Sequence, residues 1–161
     1  MKAPNGAAEE TLSLFKSAQL LLEECRMVLP GIQALFGFQL VVVFNARFAE
    51  LLSPTERKLH LLAIALIAVA VALIMSPAAY HRQTGAQKVT QRFLRISTRL
   101  VLCSMPPLAA SLCLEFYLVS RLILDPTTAA ILAGLLFATF VVLWFVVPRA
   151  TPIKNPKAEN A

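Results

Sequence analysis

LLAIALIAVAVALIM, residues 61–75, decides the fold. It carries no charge, does not alternate in polarity, and sits inside an apolar run from Leu59 to Ala79. That run matches the ~20 residues a helix needs to cross ~30 Å of hydrocarbon. Three more runs of similar length flank it, at 27–44, 100–120 and 129–147. Backbone amides in lipid must be satisfied within their own segment, so each run is expected to be a helix. A transmembrane barrel would need alternating segments of ~10 residues, and residues 61–75 do not alternate.

Composition agrees. Of the 161 residues, 58% are hydrophobic and 15% are charged, with a mean hydropathy of +0.70. A soluble domain carries ~25% charged residues, and a chain this small could not hide four such runs under a polar surface. The expected fold class is therefore all-α, a four-helix transmembrane bundle spanning 27–147. An N-terminal segment, 1–26, is read as cytoplasmic and helical from about Glu9. There Leu14, Ala18, Leu21, Leu22 and Cys25 recur at spacings of three and four, so the segment reads as an amphipathic helix. Pro30-Gly31 is expected to interrupt or bend the chain where that helix enters the first span. Residues 148–161 read as a disordered cytoplasmic tail.

The net charge of +6 is informative through its placement. With four crossings, the two termini and the middle loop share one side. Eleven Lys and Arg lie on that side and four on the other, which predicts both ends in the cytoplasm. Arg92, Arg95 and Arg99 form a basic foot on the third helix and are expected to contact lipid phosphate. The charge is thus a topology signal and does not point to nucleic acid.

Local signals place the helix ends. Ser53-Pro54-Thr55-Glu56 reads as an N-cap, a proline at the first helical position and a capping box. Asp125-Pro126-Thr127 reads as a tight turn with Asp125 capping the last span. Pro148-Arg149 is expected to stop it. Met105-Pro106-Pro107 predicts a kink in the third span. His60 and His81 read as interfacial residues at opposite ends of the second span. Small residues recur at spacing four in the second span (Ala68, Ala72, Ser76) and the fourth (Ala130, Gly134, Ala138), a pattern that lets helices approach closely.

Glu115 is the one acid well inside a span, and a carboxylate there costs at least ~2.5 kcal/mol on insertion scales. Ser97, Ser104 and Ser111 recur at seven-residue intervals on its side of the helical wheel. Glu115, Ser111 and Ser104, with Gln33 and Arg47 from the first span, make a candidate ion or proton site. The same stripe also reads as a packing seam, with Arg47 clamping Glu115. On the wheel Gln33, Gly37 and Arg47 share a sector, and Gln39 points elsewhere. Cys25, Cys103 and Cys113 have no metal-ligand spacing. Neither a metal nor a cofactor is expected, and no catalytic motif is present, so the chain does not read as an enzyme.

Two stretches carry a resemblance: EECRMVLPGIQALFGFQL at Glu23–Leu40, continuing to Phe44 and Arg47-Phe48, and PAAYHR at Pro77–Arg82. Over Glu23 to Val147 the chain resembles a bacterial family of short four-helix membrane proteins of unknown function, sometimes labelled sodium:proton antiporters. The resemblance implies a bacterial inner (plasma) membrane location and a family-specific surface of Pro30, Gly31, Gln33, Gly37, Arg47, Tyr80, His81 and Arg82. It supplies no catalytic residues. Established antiporters pair acids on broken helices within inverted repeats; this chain has one intramembrane acid and no visible repeat. The expected function is a structural or regulatory membrane component, with the bilayer, further copies or a larger complex as partners. The alternative is a proton-coupled cation (sodium:proton) transporter using Glu115.

Overall fold

The structure is a computed structural model and describes residues 5–83 and 90–150. The chain is all-α there. Helix α1 runs Asn5–Val43, α2 is a four-residue turn at Phe48–Leu51, α3 runs Pro54–Gln83 and α4 runs Gln91–Arg121. Helix α5 runs Pro126–Val141 and continues through a π-helical turn, Val142–Val146, into α6, Val147–Ala150. Four helical stretches are long and apolar enough to cross a membrane: Leu12–Val43, Pro54–Gln83, Gln91–Arg121 and Pro126–Ala150. They hold the four predicted runs and extend past them. Most of the middle segment, 84–89, and most of the expected disordered tail, 151–161, lie outside the described residues, as does the start, 1–4.

The described residues fall into two compact units, one ending at Leu112 and one starting at Cys113 within α4. In the first unit, burial follows one rule. Along α1, the residues turned inward are Leu14, Ala18, Leu21, Cys25, Leu29, Ile32, Phe36 and Gln39, at steps of three and four. Along α3 they are Glu56, His60, Ala63, Ile67, Ala70, Ile74 and Pro77, on the same steps. On α4 Phe93, Ser97, Ser104 and Ser111 continue the pattern. Steps alternating between three and four average close to the helical repeat, so each helix presents one narrow seam to its neighbours. Ile32, Ile67 and Ile74 form the centre of the packing, with Leu29, Phe36, Val71 and Leu108 against them.

The other faces are apolar and uncovered. Phe38 is 72% exposed and Phe44 87%, and Leu61, Leu62, Val69 and Met75 also face outward. An apolar surface this continuous suits hydrocarbon as its solvent. In the second unit α5 is apolar all round, and Ala129 is fully buried.

The separate N-terminal amphipathic helix is not found. Helix α1 is one element of 39 residues with Pro30 inside it, ~58 Å at 1.5 Å per residue. The reason lies in phase: the stripe from Leu14 to Cys25 runs on through Leu29, Ile32 and Phe36 without a shift. Pro30 removes one hydrogen bond to the Arg26 carbonyl, and its own side chain is exposed, so it does not disturb the seam. Likewise α4 passes through Pro106-Pro107 as helix. The last span does not stop at Pro148. Its π turn ends at Val146, two residues before that proline, which cannot donate a backbone hydrogen bond. Arg149 then folds back, with Nη1 donating to the Phe145 carbonyl at 2.8 Å and its guanidinium 5.7 Å from the Phe145 ring centroid.

The helix starts follow the sequence. The Ser53 backbone N–H donates to Glu56 Oε2 at 2.7 Å, and the Glu56 N–H donates to Ser53 Oγ at 3.4 Å. This reciprocal pair is the predicted capping box. Asp125 Oδ2 accepts from the Thr128 N–H at 2.9 Å, with Pro126 at the first helical position. Replacing Ser53 with Ala should cost ~1 kcal/mol, read as a lower unfolding midpoint in detergent.

Asp125 gives a pH prediction. The Thr128 backbone N–H holds its carboxyl below the usual range. A depressed folded pKa stabilises above the unfolded value and is lost as pH falls through the folded one. Acid titration should therefore lower the unfolding midpoint of the native chain more than that of Asp125→Asn, over the range below the ordinary carboxyl pKa of ~3.9.

Candidate functional site

Helices α1 and α3 are antiparallel neighbours in the first unit, so the end of one meets the start of the other. Two polar places result, at opposite ends of the pair.

The first is a buried cluster where the end of α1 meets the start of α3 and the later part of α4. His60 is 2% exposed, Gln39 7% and Ser111 0%. His60 Nε2 donates to the Gln39 backbone carbonyl at 3.0 Å, which places a proton on Nε2. Ser111 Oγ donates to the Ala63 carbonyl at 2.7 Å. With that proton committed, the serine oxygen accepts, and Gln39 Nε2 donates to it at 3.3 Å. The direction of the Gln39 amide is thereby fixed, and its Oε1 is buried without a hydrogen-bond partner among the described residues. The His60 ring packs against Phe48 with centroids 5.3 Å apart. The cluster ties α1 to α3, α1 to α4 and α4 to α3. In an apolar medium such interhelical hydrogen bonds satisfy polar groups that lipid could not.

The second is a cleft of about 240 Å³ at the other end of the α1–α3 pair. Leu22, Cys25, Leu29, Ile74, Met75 and Ala78 line it, with Arg26, His81 and Arg82. Six of these nine, Cys25, Arg26, Leu29, Ala78, His81 and Arg82, belong to the two stretches that carry the family resemblance. Those stretches lie some fifty residues apart in sequence, and antiparallel packing brings them together. The His81 ring lies 5.8 Å from that of Phe93, and Tyr80 stacks on the same Phe93 at 5.7 Å.

The expected site residues are distributed differently from the wheel reading. Ser111 is in the buried cluster. Ser104 is buried but bonds back to the Val101 carbonyl of its own helix at 2.6 Å. Gln33 is exposed, and Gln39, expected to point elsewhere, is the buried amide. Arg47 is exposed in the turn after α1, where its backbone N–H donates to Asn45 Oδ1 at 3.0 Å. Glu115 is partly buried on α4, in the second unit. His60, expected at the interface, is in the core of the first unit; its spacing from Glu56, Ala63 and Ile67 was the available signal.

The family-resembling residues also divide. Pro30, Gly31, Tyr80 and Arg82 are exposed, Gly37 and His81 partly buried. Arg92, Arg95 and Arg99 are all exposed on α4. The small-residue rows are largely outward: Ala68, Ala72, Ala130, Gly134 and Ala138 are exposed.

A family model described as a family of unknown function, DUF6328, matches residues 14–148. No curated protein and no solved structure matches the chain.

The buried cluster makes a measurable prediction. Ser111→Ala leaves two groups short of a partner, whereas Gln39→Leu removes the amide altogether. A double-mutant cycle between them should return a favourable coupling of ~0.6 kcal/mol, the usual size for interhelical hydrogen bonds in membranes, read from unfolding in mixed micelles.

Proposed function

We propose that this chain, which belongs to the DUF6328 family, is a non-catalytic multi-pass component of the bacterial inner membrane. It sits with both termini in the cytoplasm and acts as a structural or regulatory partner of a larger membrane assembly. The observation that carries this reading is the interhelical hydrogen bonding of Gln39, His60 and Ser111. His60 and Ser111 donate to backbone carbonyls of neighbouring helices, and Gln39 donates to Ser111. Groups used in this way hold helices in register. The orientation rests on the excess of Lys and Arg on one side of the four spans.

The second reading is proton-coupled cation transport. Two separate features favour it: an acid within a span, Glu115 in the second unit, and the unpartnered, buried Gln39 Oε1 in the first. Transport of that kind requires further copies of the chain to complete a pathway.

Proteoliposomes with a pH-sensitive dye separate the two. The structural reading expects no proton movement above empty liposomes when Na+, K+ or Li+ is added. Cation-dependent flux lost in Glu115→Gln would replace it with transport. Reporter fusions at each end test topology; termini on opposite sides of the membrane would overturn the seating described.

A further inference from the structure

The α1–α3 cleft combines cations, apolar walls and a particular depth. In α3 the apolar run starts at Leu59, after the exposed Arg57 and Lys58. Twenty-three residues separate Leu59 from Arg82, ~34 Å along the helix, just beyond the ~30 Å of hydrocarbon. Arg26 is seventeen residues before the end of α1, ~26 Å. Both guanidiniums therefore lie close to the same interface, where headgroup phosphates sit.

Arg26 and Arg82 are exposed at the cleft. Among the described residues neither pairs with a carboxylate. The nearby Glu23 is directed back along α1, where its Oε1 accepts from Gln19 Nε2 at 3.5 Å. Glu24 is close enough to act on Cys25, yet among the described residues neither guanidinium is bonded to a carboxylate, and two guanidiniums at one mouth favour an anion between them. Phosphate fits best, because each guanidinium offers a planar fork that matches its oxygens. Behind that mouth, Leu22, Leu29, Ile74 and Met75 present no polar side chain. A soluble anion would leave these walls unused. A volume of about 240 Å³ falls below the ~300–1,000 Å³ of sites that enclose a whole small molecule. It suits a headgroup and the first part of its chains, with the remainder in the bilayer.

We propose that this cleft is a binding site for an anionic glycerophospholipid, with Arg26 and Arg82 holding the phosphate, His81 offering a further donor, and Leu22, Leu29, Ile74 and Met75 receiving the start of an acyl chain. The site goes beyond the function proposed above. It is distinct from the basic foot of Arg92, Arg95 and Arg99, which has charge without a cleft.

Cys25 lines the cleft and reports occupancy. The full chain is placed in nanodiscs of phosphatidylcholine alone, or with phosphatidylglycerol added, and N-ethylmaleimide labelling is followed cysteine by cysteine. A cysteine introduced by Ser17→Cys, at an exposed position outside the apolar runs, is the internal reference. Phosphatidylglycerol should slow Cys25 labelling roughly tenfold, as for a lipid near ten times its dissociation constant, and leave the reference unchanged. The pair Arg26→Gln and Arg82→Gln should label equally fast in both discs. Arg26→Lys with Arg82→Lys should keep part of the protection, since charge remains and the fork is lost; this pair decides the matter should the glutamine pair fail to fold. Inorganic phosphate added to phosphatidylcholine discs should not protect.

Equal labelling of the native chain in both discs would overturn the site. So would protection that survives undiminished in the lysine pair or survives in a folded glutamine pair. Protection by inorganic phosphate equal to that by lipid would make it a site for a soluble anion and overturn the lipid assignment. None of these outcomes depends on whether the chain moves cations.

Discussion

In hydrocarbon a backbone N–H has no water to turn to, and the architecture follows from that constraint. Each span must close its own hydrogen bonds, so each is a helix. Helices bathed in lipid gain little from burying apolar side chains against one another, because the lipid tails are equally apolar. What brings them together is close fit along a seam and the few polar groups that prefer each other to lipid. The first unit shows both. Small and branched side chains, Ala63, Ile67, Ala70 and Ile74, form the α3 seam, and Gln39, His60 and Ser111 supply the polar ties. The large apolar residues that would form the core of a soluble protein, Phe38, Phe44 and Leu61 among them, are on the outside.

How far this was legible depends on which information a helical wheel contains. A wheel fixes the angle between residues on one helix and leaves open which angle faces inward. The spans, the Ser53–Glu56 capping box and the Asp125 cap are local and were readable. The seven-residue spacing of Ser97, Ser104 and Ser111 was readable too, and all three are buried. The inward face of α1 was also available in principle, since Leu14 to Cys25 define it and the stripe continues in phase to Gln39. Expecting Pro30-Gly31 to break the helix discarded that phase and favoured Gln33 over Gln39. His60 shows what depth alone leaves open. It stands at a span end, as expected, and its phase with Ile67 and Ile74 turns it inward.

The meeting of the two family-resembling stretches is of another kind. No local pattern says that Cys25-Arg26 will face His81-Arg82. That follows from antiparallel packing of α1 on α3, and packing is a property of the pair. The charges can be read from sequence, but their convergence on one cleft is a structural fact.

The two polar places divide the first unit by chemistry. Where α1 ends and α3 starts, hydrogen bonds among Gln39, His60, Ser111 and backbone carbonyls join α1, α3 and α4. Pro30 and Pro77 each lie four residues from a cleft residue, Arg26 and His81. Each proline removes one backbone hydrogen bond. In α1 the carbonyl that loses its donor is that of Arg26, the residue whose guanidinium lines the cleft. Headgroups and interfacial water can supply donors near that depth, whereas the hydrocarbon midplane cannot. In α1 the backbone is thus interrupted beside the cleft, where polar partners from the interface are within reach.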